Sequence, residues 1–335
     1  MIKLSDIAAK AGVSESTVSR ALADSPLVNQ KTKDLVQQLA REAGYKVNLV
    51  ARNLRVQSTR TIGLVVPQVA NPYYPKLIQL VADRVKEAGY RLQLHLSGAD
   101  QESESDCLTS LYEHRADGVL LVTAVNGLVT KSQVESLVAS GTPVVLLGWV
   151  EGAEHLDLVM ADDARGGYMV GKHLVDLGHR DIAVIGARPH RGPFDRLSGF
   201  QKALNESGIT PNLVSSARSD EEVQAVIHDL VSLPKPPTAI FAYQDFVAAL
   251  VFKHLGAACI SIPDQISVVG FDNLDLGTYI CPQLTTVDLP ADQIAAEAVN
   301  LVLARTQNAD DDANPKRIVV SPELILRESC APPRR

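Results

Sequence analysis

The sequence predicts two different builds in one chain: a small three-helix head over about the first 45 residues and, from Thr61 onward, two α/β subdomains with parallel sheets. Three observations carry this. Up to Ala43 the apolar residues recur at helical spacing. Beyond Thr61 short apolar runs alternate with helical stretches, the pattern of parallel sheets covered on both faces, and there are too many such units for one small sheet. The charge also divides there. Residues 1–60 hold ten Lys or Arg and five Asp or Glu, whereas the whole chain has 32 basic and 39 acidic residues and a net charge of −7. A basic head on an acidic body suits a polyanion-binding module joined to a part that should avoid polyanions.

In the head, Leu4, Ile7, Ala8 and Ala11 mark the inward face of a first helix, and Gly12 supplies a turn that tolerates positive φ. Ser14 stands where the next helix, Glu15 to Ala23, needs an N-cap. Val18 and Leu22 turn inward, leaving Ser16, Thr17, Ser19 and Arg20 outward or sideways. A short helix with small hydroxyls and one arginine suits a major groove: hydroxyls bond phosphates or base edges, and arginine forks onto guanine. Asp24-Ser25-Pro26 is a turn, and Asn29 caps a third helix, Gln30 to Ala43, striped by Leu35, Val36, Leu39 and Ala40 and ended by Gly44. Ile7, Val18, Leu22, Leu35 and Leu39 form the expected core. Asn48 can cap a further turn or two of helix in which Val50, Ala51 and Leu54 share a face, and Arg55 to Arg60 reads as a linker.

The body opens on a buried strand, Ile62 to Pro67, followed by a helix, Tyr74 to Ala88. The alternation continues with strand Arg91–Leu96, helix Glu102–His114, strand Gly118–Val122, helix Lys131–Ala139 and strand Pro143–Leu147. A second series starts near Leu158: helix Ala164–Leu177, strand Ile182–Ile185, helices Phe194–Ser207 and Asp220–Leu233, strand Thr238–Phe241, helix Asp245–Leu255 and strand Ser267–Val269. One more helix, Ala291–Leu303, an acidic loop at Asp310–Asp312 and strands near Ile318–Val320 and Glu323–Leu326 finish the chain.

With 335 residues, 46% hydrophobic and 21% charged, the composition is that of a globular protein with room for two or three domains. No apolar run reaches membrane-spanning length and the first residues do not read as a signal peptide, so a cytoplasmic protein without a membrane partner is expected. Cys107, Cys259, Cys281 and Cys330 are scattered, which fits free thiols and neither a disulfide framework nor a metal site. There is no nucleophile elbow, glycine-rich phosphate loop or metal-ligand spacing, so an enzyme and a cofactor are not expected.

The motifs resemble those of the lactose-repressor (LacI/GalR) family of bacterial transcription regulators over essentially the whole chain. Asp6 to Arg20 is similar to the family's Asp-Ile-Ala…Ala-Gly-Val-Ser…Thr-Val-Ser-Arg signature, and Val50-Ala-Arg-Asn-Leu54 to its hinge helix. Ile62-Gly-Leu-Val-Val-Pro, Asn71-Pro-Tyr-Tyr74, Gly178-His-Arg-Asp-Ile-Ala-Val-Ile185, Arg196-Leu-Ser-Gly-Phe200, Val269-Gly-Phe-Asp272-Asn, Leu284-Thr-Thr-Val287 and Leu326-Arg-Glu-Ser329 follow in family order. Two positions depart from the pattern. Lys3 stands where many members cap the first helix with Ser or Thr, and Val47 where Pro commonly precedes the hinge Asn.

The resemblance implies a helix-turn-helix domain over 1–47, a hinge helix and linker over 48–60, and a two-lobed α/β effector domain of the type I periplasmic-binding-protein kind over 61–335. Its N-lobe would take 61–160 and 290–316 and its C-lobe 161–289 and 317–335, joined by three crossovers. It also implies a homodimer on a near-palindromic double-stranded DNA operator; the end of the chain shows no heptads, which favours a dimer over a tetramer. Glu15, Ser16 and Arg20 fall at base-reading positions, Thr17, Ser19, Asn29 and Thr32 at phosphate-positioning ones, and Ala51 and Leu54 at the minor-groove lever. A small effector, a sugar or sugar derivative, would lie between the lobes. Tyr73 and Tyr74 offer flat faces, Trp149 either lines the cleft or braces the lobes, Arg196 and Asp272 offer a donor and an acceptor for vicinal hydroxyls, and Gln244 and Asp245 face the same cleft. Arg188, His190 and Arg191 are either solvated or, with one turned inward, make the pocket suit a sugar phosphate or sugar acid. The alternatives are a co-repressor-dependent regulator with a nucleobase effector and a sugar-binding protein that does not bind DNA.

Overall fold

A computed structural model describes residues 3–22, 24–45, 58–98, 100–122, 131–150, 152–187, 195–307 and 314–334. They form two units, Met1–Ser58 and Thr59–Arg335.

The first unit is three helices: α1 Leu4–Ala11, α2 Glu15–Leu22 and α3 Gln30–Glu42. A lysine side chain has no acceptor to cap α1, and Asp6 takes over part of that role by accepting from the Lys3 backbone N–H at 2.8 Å. Gly12, at φ 66°, closes α1 by donating to the Ala8 carbonyl. Ser14 caps α2, its Oγ accepting from the Thr17 N–H at 3.2 Å, and Asn29 caps α3, its Oδ1 accepting from the Thr32 N–H at 2.9 Å. The core is Ile7, Ala8, Val18, Ala21, Val28, Val36 and Ala40. Leu35, expected in it, is 45% exposed. The buried residues of α3 are Lys33, Val36 and Ala40, and Leu35 is turned about 100–160° away from each of them. Lys33 is buried because its ammonium pairs with Asp24 Oδ1 at 2.7 Å and the Asp24 carbonyl at 3.1 Å, bracing the turn before α3.

The second unit holds two parallel sheets. The first contains β1 Thr61–Val66, β2 Arg91–Leu96, β3 Gly118–Leu121, β4 Val144–Leu147, β5 Asp157–Ala161 and β11 Arg317–Val320, in the order β11-β5-β4-β3-β1-β2. Helices α4 Tyr73–Glu87 and α12 Ala291–Gln307 cover one face, and α5 Gln101–Glu113 and α6 Lys131–Ala139 the other. The second sheet is β6 Ile182–Ile185, β7 Leu213–Ser215, β8 Ala239–Ala242 and β9 Ser267–Val269, ordered β7-β6-β8-β9. It lies between α7 Asp163–Asp176 with α8 Arg196–Asn205 and α9 Asp220–Val231 with α10 Asp245–Ala257. A short helix, α11 Leu276–Tyr279, follows. An antiparallel pair, β10 Thr286–Asp288 and β12 Glu323–Ile325, completes the unit.

The chain passes between the lobes three times: after Ala161 into α7, after Asp288 into α12, and after Val320 into β12. The last passage corrects the boundary expected at 316, because Arg317–Val320 pairs with Leu158–Ala161 in the first sheet. Strand β2 shows why sheet position overrides composition: it is the edge, and Leu94 and Leu96 are 43% and 50% exposed. The expected hinge and the acidic loop at Asp310–Asp312 lie outside the described residues.

Candidate DNA-reading face and ligand cleft

On the head, the burial of Val18 and Ala21 fixes which side of α2 turns to solvent. Glu15, Ser16 and Arg20 are exposed, Thr17 and Ser19 half-buried. Ser16 and Arg20, four residues apart, share a face. Ser14 Oγ lies 2.8 Å from Ser16 Oγ and 2.9 Å from Thr17 Oγ1, so these hydroxyls form one cluster at the start of α2. Three hydroxyls at a helix N-terminus can donate to a phosphate, while Arg20 extends from the last turn free to reach a base edge. Asn29 Oδ1 and the Thr32 N–H are spent on each other as the α3 cap, so a phosphate would meet the remaining amide of Asn29 and the hydroxyl of Thr32.

On the body, a cleft opens at the carboxyl ends of strands from both sheets. Its walls include Asn71, Tyr73, Tyr74, Trp149, Asp163, Asp195, Arg196, Tyr243, Gln244 and Asp272. Close helix packing builds its polar centre. Helices α7 and α8 cross so tightly that a Cβ on Gly167 would lie 1.8 Å from the Arg196 carbonyl, and one on Gly199 would lie 1.7 Å from the Ala164 carbonyl. These two glycines let the first residues of the helices, Asp163 and Arg196, meet. Arg196 Nη2 donates to Asp163 Oδ2 at 3.1 Å, and Nη1 donates to the Tyr243 carbonyl at 2.5 Å and lies 3.5 Å from Asp272 Oδ1. Its guanidinium stacks 3.9 Å from the Phe271 ring centroid and 4.8 Å from that of Tyr243. Burial alone would favour the neutral guanidine, but the Asp163 and Asp272 charges outweigh it and hold Arg196 still more firmly protonated.

Around this centre, Tyr73 receives the Asn71 Oδ1 cap on its N–H at 3.0 Å and meets Tyr74 edge to face at 5.7 Å. Burial, then the charges of Asp272 and Asp163, keeps the Tyr73 phenol above its ordinary range, so it stays a hydroxyl donor. Tyr243 donates to Asp195 Oδ1, and its phenol is raised too, by burial first and then, against the lowering effect of Arg196, by Asp195. Among the described residues of the cleft, three carboxylates thus stand with one guanidinium: Asp163 and Asp272 meet Arg196, and Asp195 accepts from Tyr243. There is no group of three or more His, Cys, Asp or Glu side chains able to hold a metal ion among the described residues.

Two family models match the chain: "Bacterial regulatory proteins, lacI family" over residues 3–48 and "Periplasmic binding protein-like domain" over residues 172–330. The HTH-type transcriptional regulator DegA of Bacillus subtilis is 32% identical over 98% of this chain and 97% of its own. The chain belongs to the lacI family of bacterial regulators. It is also 31% identical to the HTH-type transcriptional repressor PurR of Photobacterium profundum, over 98% of each chain. A solved LacI family regulator from Enterococcus faecium with bound ribose superposes with a TM-score of 0.71 at 27% identity, over 82% of this chain and 100% of that one. These relatives are transcription regulators and not enzymes, and DNA-binding regulation is the function of this lacI-family member as well.

Of the cleft residues expected for the regulator, Tyr73, Tyr74, Trp149, Arg196, Gln244 and Asp272 line the walls. Asp245 does not: it is fully buried behind the cleft, bonded to Leu274 and Thr286, and burial pushes it up to about 6. His190, Arg191 and Arg188 lie outside the described residues, as do Ala51 and Leu54. Asp163, Asp195 and Tyr243 were not foreseen. Tyr243 directly follows β8, Asp163 opens α7 just after β5, and Asp195 immediately precedes Arg196 of α8; those positions were the available signal.

Proposed function

We propose that this regulator is a repressor that binds a near-palindromic operator as a homodimer and is controlled by a neutral, hydroxyl-rich carbohydrate in the cleft. The observation that carries the effector reading is the set of Asp163, Asp195 and Asp272 with Arg196, beside the protonated Tyr73 and Tyr243. Carboxylates accept from sugar hydroxyls, and the guanidinium and the Tyr73 phenol donate to them, so neighbouring hydroxyls are read as donor–acceptor pairs. Among the described residues of the cleft, three acidic groups stand against one basic group, which disfavours a sugar phosphate or sugar acid. The ribose in the Enterococcus faecium relative supports the carbohydrate, and the repressor name of the Photobacterium profundum relative supports repression.

Because the cleft takes residues from both lobes, a ligand that bonds to both stabilises one arrangement of the lobes over another. Such a difference shifts operator affinity by a coupling of about 1–3 kcal/mol. The test uses Trp149, the chain's single tryptophan, which lines the cleft. Its fluorescence is followed while neutral pentoses and hexoses, their phosphates and their acids are added, and the same compounds are tried on operator binding. The expected result is that a neutral sugar changes both signals and that Asp272→Ala abolishes the response while leaving operator binding intact. A response confined to phosphorylated or acidic sugars, or to nucleobases, would overturn the proposal.

A further inference from the structure

The turn that carries Asp272 is held in an uncommon backbone. Asp272 has φ 108° and Asn273 φ 47°, two successive non-glycine residues in the region that L side chains rarely adopt. The restraints converge on Asp245, the first residue of α10. Its N–H donates to the Phe271 carbonyl at 2.7 Å. One carboxylate oxygen accepts from the Leu274 N–H at 2.7 Å and the other from the Thr286 hydroxyl at 2.6 Å. The fit leaves no slack: a Cβ on Gly270 would lie 2.1 Å from Asp245 Oδ1. Thr286 in turn accepts from the Asn273 N–H at 3.4 Å.

The same turn is fastened to β10. The Gly270 N–H donates to the Thr285 carbonyl and the Asp272 N–H to the Val287 carbonyl, both at 2.9 Å. Asn273 Nδ2 donates to Asp288 Oδ1 at 2.9 Å, and Arg327 Nη2 donates to Asn273 Oδ1 at 2.8 Å. Strand β10 is the segment that passes on to α12 in the other lobe.

We infer that Asp245 is the positioning residue of the cleft: it locks the 270–274 turn onto β10, which presents Asp272 to Arg196 and ties its position to an interlobe passage. The consequence for the effector rests on the reading of the cleft given above; the clamp itself does not. Any ligand that moves Asp272 then moves β10 with it.

Hydrogen exchange on the full chain without ligand tests the clamp independently of the effector. In Asp245→Ala, peptides spanning 270–274 and 285–288 should exchange about ten-fold faster, while peptides from β1 and β6 keep the parent rate. Asp245→Asn should return the turn to within about two-fold of the parent, since its carbonyl accepts from Leu274 and its amide donates to Thr286 Oγ1. Thr286→Val removes the hydroxyl at nearly constant shape and should speed exchange in the turn alone; with Asp245→Asn, it decides the matter if Asp245→Ala does not fold. Unchanged exchange in the turn, equal acceleration throughout the C-lobe, or an Asp245→Asn protein more than about two-fold faster than the parent in the turn would overturn the assignment.

Discussion

Arg20 and Arg196 carry the same charge into opposite surroundings. Arg20 is exposed on α2 and makes no ion pair among the described residues, so its donors are available to a partner. Arg20→Ala should therefore cost operator affinity by roughly 1–3 kcal/mol and relax specificity at one base pair of each half-site, while the cleft is untouched. Fluorescence anisotropy on single-base operator variants measures this, and a uniform loss across all variants would mean a phosphate contact instead. Arg196 is held at the cleft wall, between Asp163 and Asp272 and over two aromatic rings. The sequence marked Arg196 and Asp272 as cleft residues because both sit in recognisable motifs. It misassigned Asp245 because a residue that follows a strand can face the cleft or the turn behind it, and only the packing of Gly270 and Thr286 decides. Asp245 also sets a pH dependence. Burial raises it from 3.8 to about 6, against its bonds to Thr286, Leu274 and Phe271 and the charge of Arg327. The folded chain thus holds a proton that the unfolded chain has lost, so this contribution to stability is complete below pH 3.8 and disappears as pH rises through about 6. Relative to Asp245→Asn, the parent should lose roughly 3 kcal/mol of stability between about pH 4 and pH 7, read from urea unfolding. A pH-independent difference would contradict this.

At the scale of elements, the crossing of α7 over α8 builds the polar centre. Gly167 and Gly199 have backbone where a side chain would be, so even a methyl group must push the helices apart. Gly199→Ala should destabilise the body by about 1–3 kcal/mol or more and weaken effector binding, because Asp163 and Arg196 separate. A thermal melt and a Trp149 titration report the two losses; retained effector binding would remove the crossing from the account. Most long elements could be read from the sequence, since their apolar spacing reflects burial on one face or two. The three-residue strands β7, β9, β10 and β12 are another matter. They are too short to show a period, and of these only β9 and β12 were anticipated. Leu35 marks a similar limit in the head: a stripe of four apolar residues is wider than the face that α1 and α2 cover, and Leu35 falls outside it.

For the whole molecule, the uneven charge of the sequence matches the two units: the basic head carries the helix-turn-helix and the acidic body the carboxylate-lined cleft. Nucleic acid is therefore drawn to the head, and operator binding should weaken steeply as salt rises, with a slope set by the number of phosphates contacted. The two-lobed plan was legible from the alternation of strands and helices; the place of the third passage, after Val320, was not, because it depends on β11 pairing with β5. Whether this chain reads a specific operator and answers to a ligand in its cleft is decided by incubating it with fragments of its own genome at moderate salt and sequencing what it retains, with Arg20→Ala as control. The expected result is a near-palindrome whose half-sites lie about one helical turn apart, enriched by the parent over the control and gained or lost when the carbohydrate is added. Equal recovery of all sequences by both proteins, with and without carbohydrate, would contradict the account.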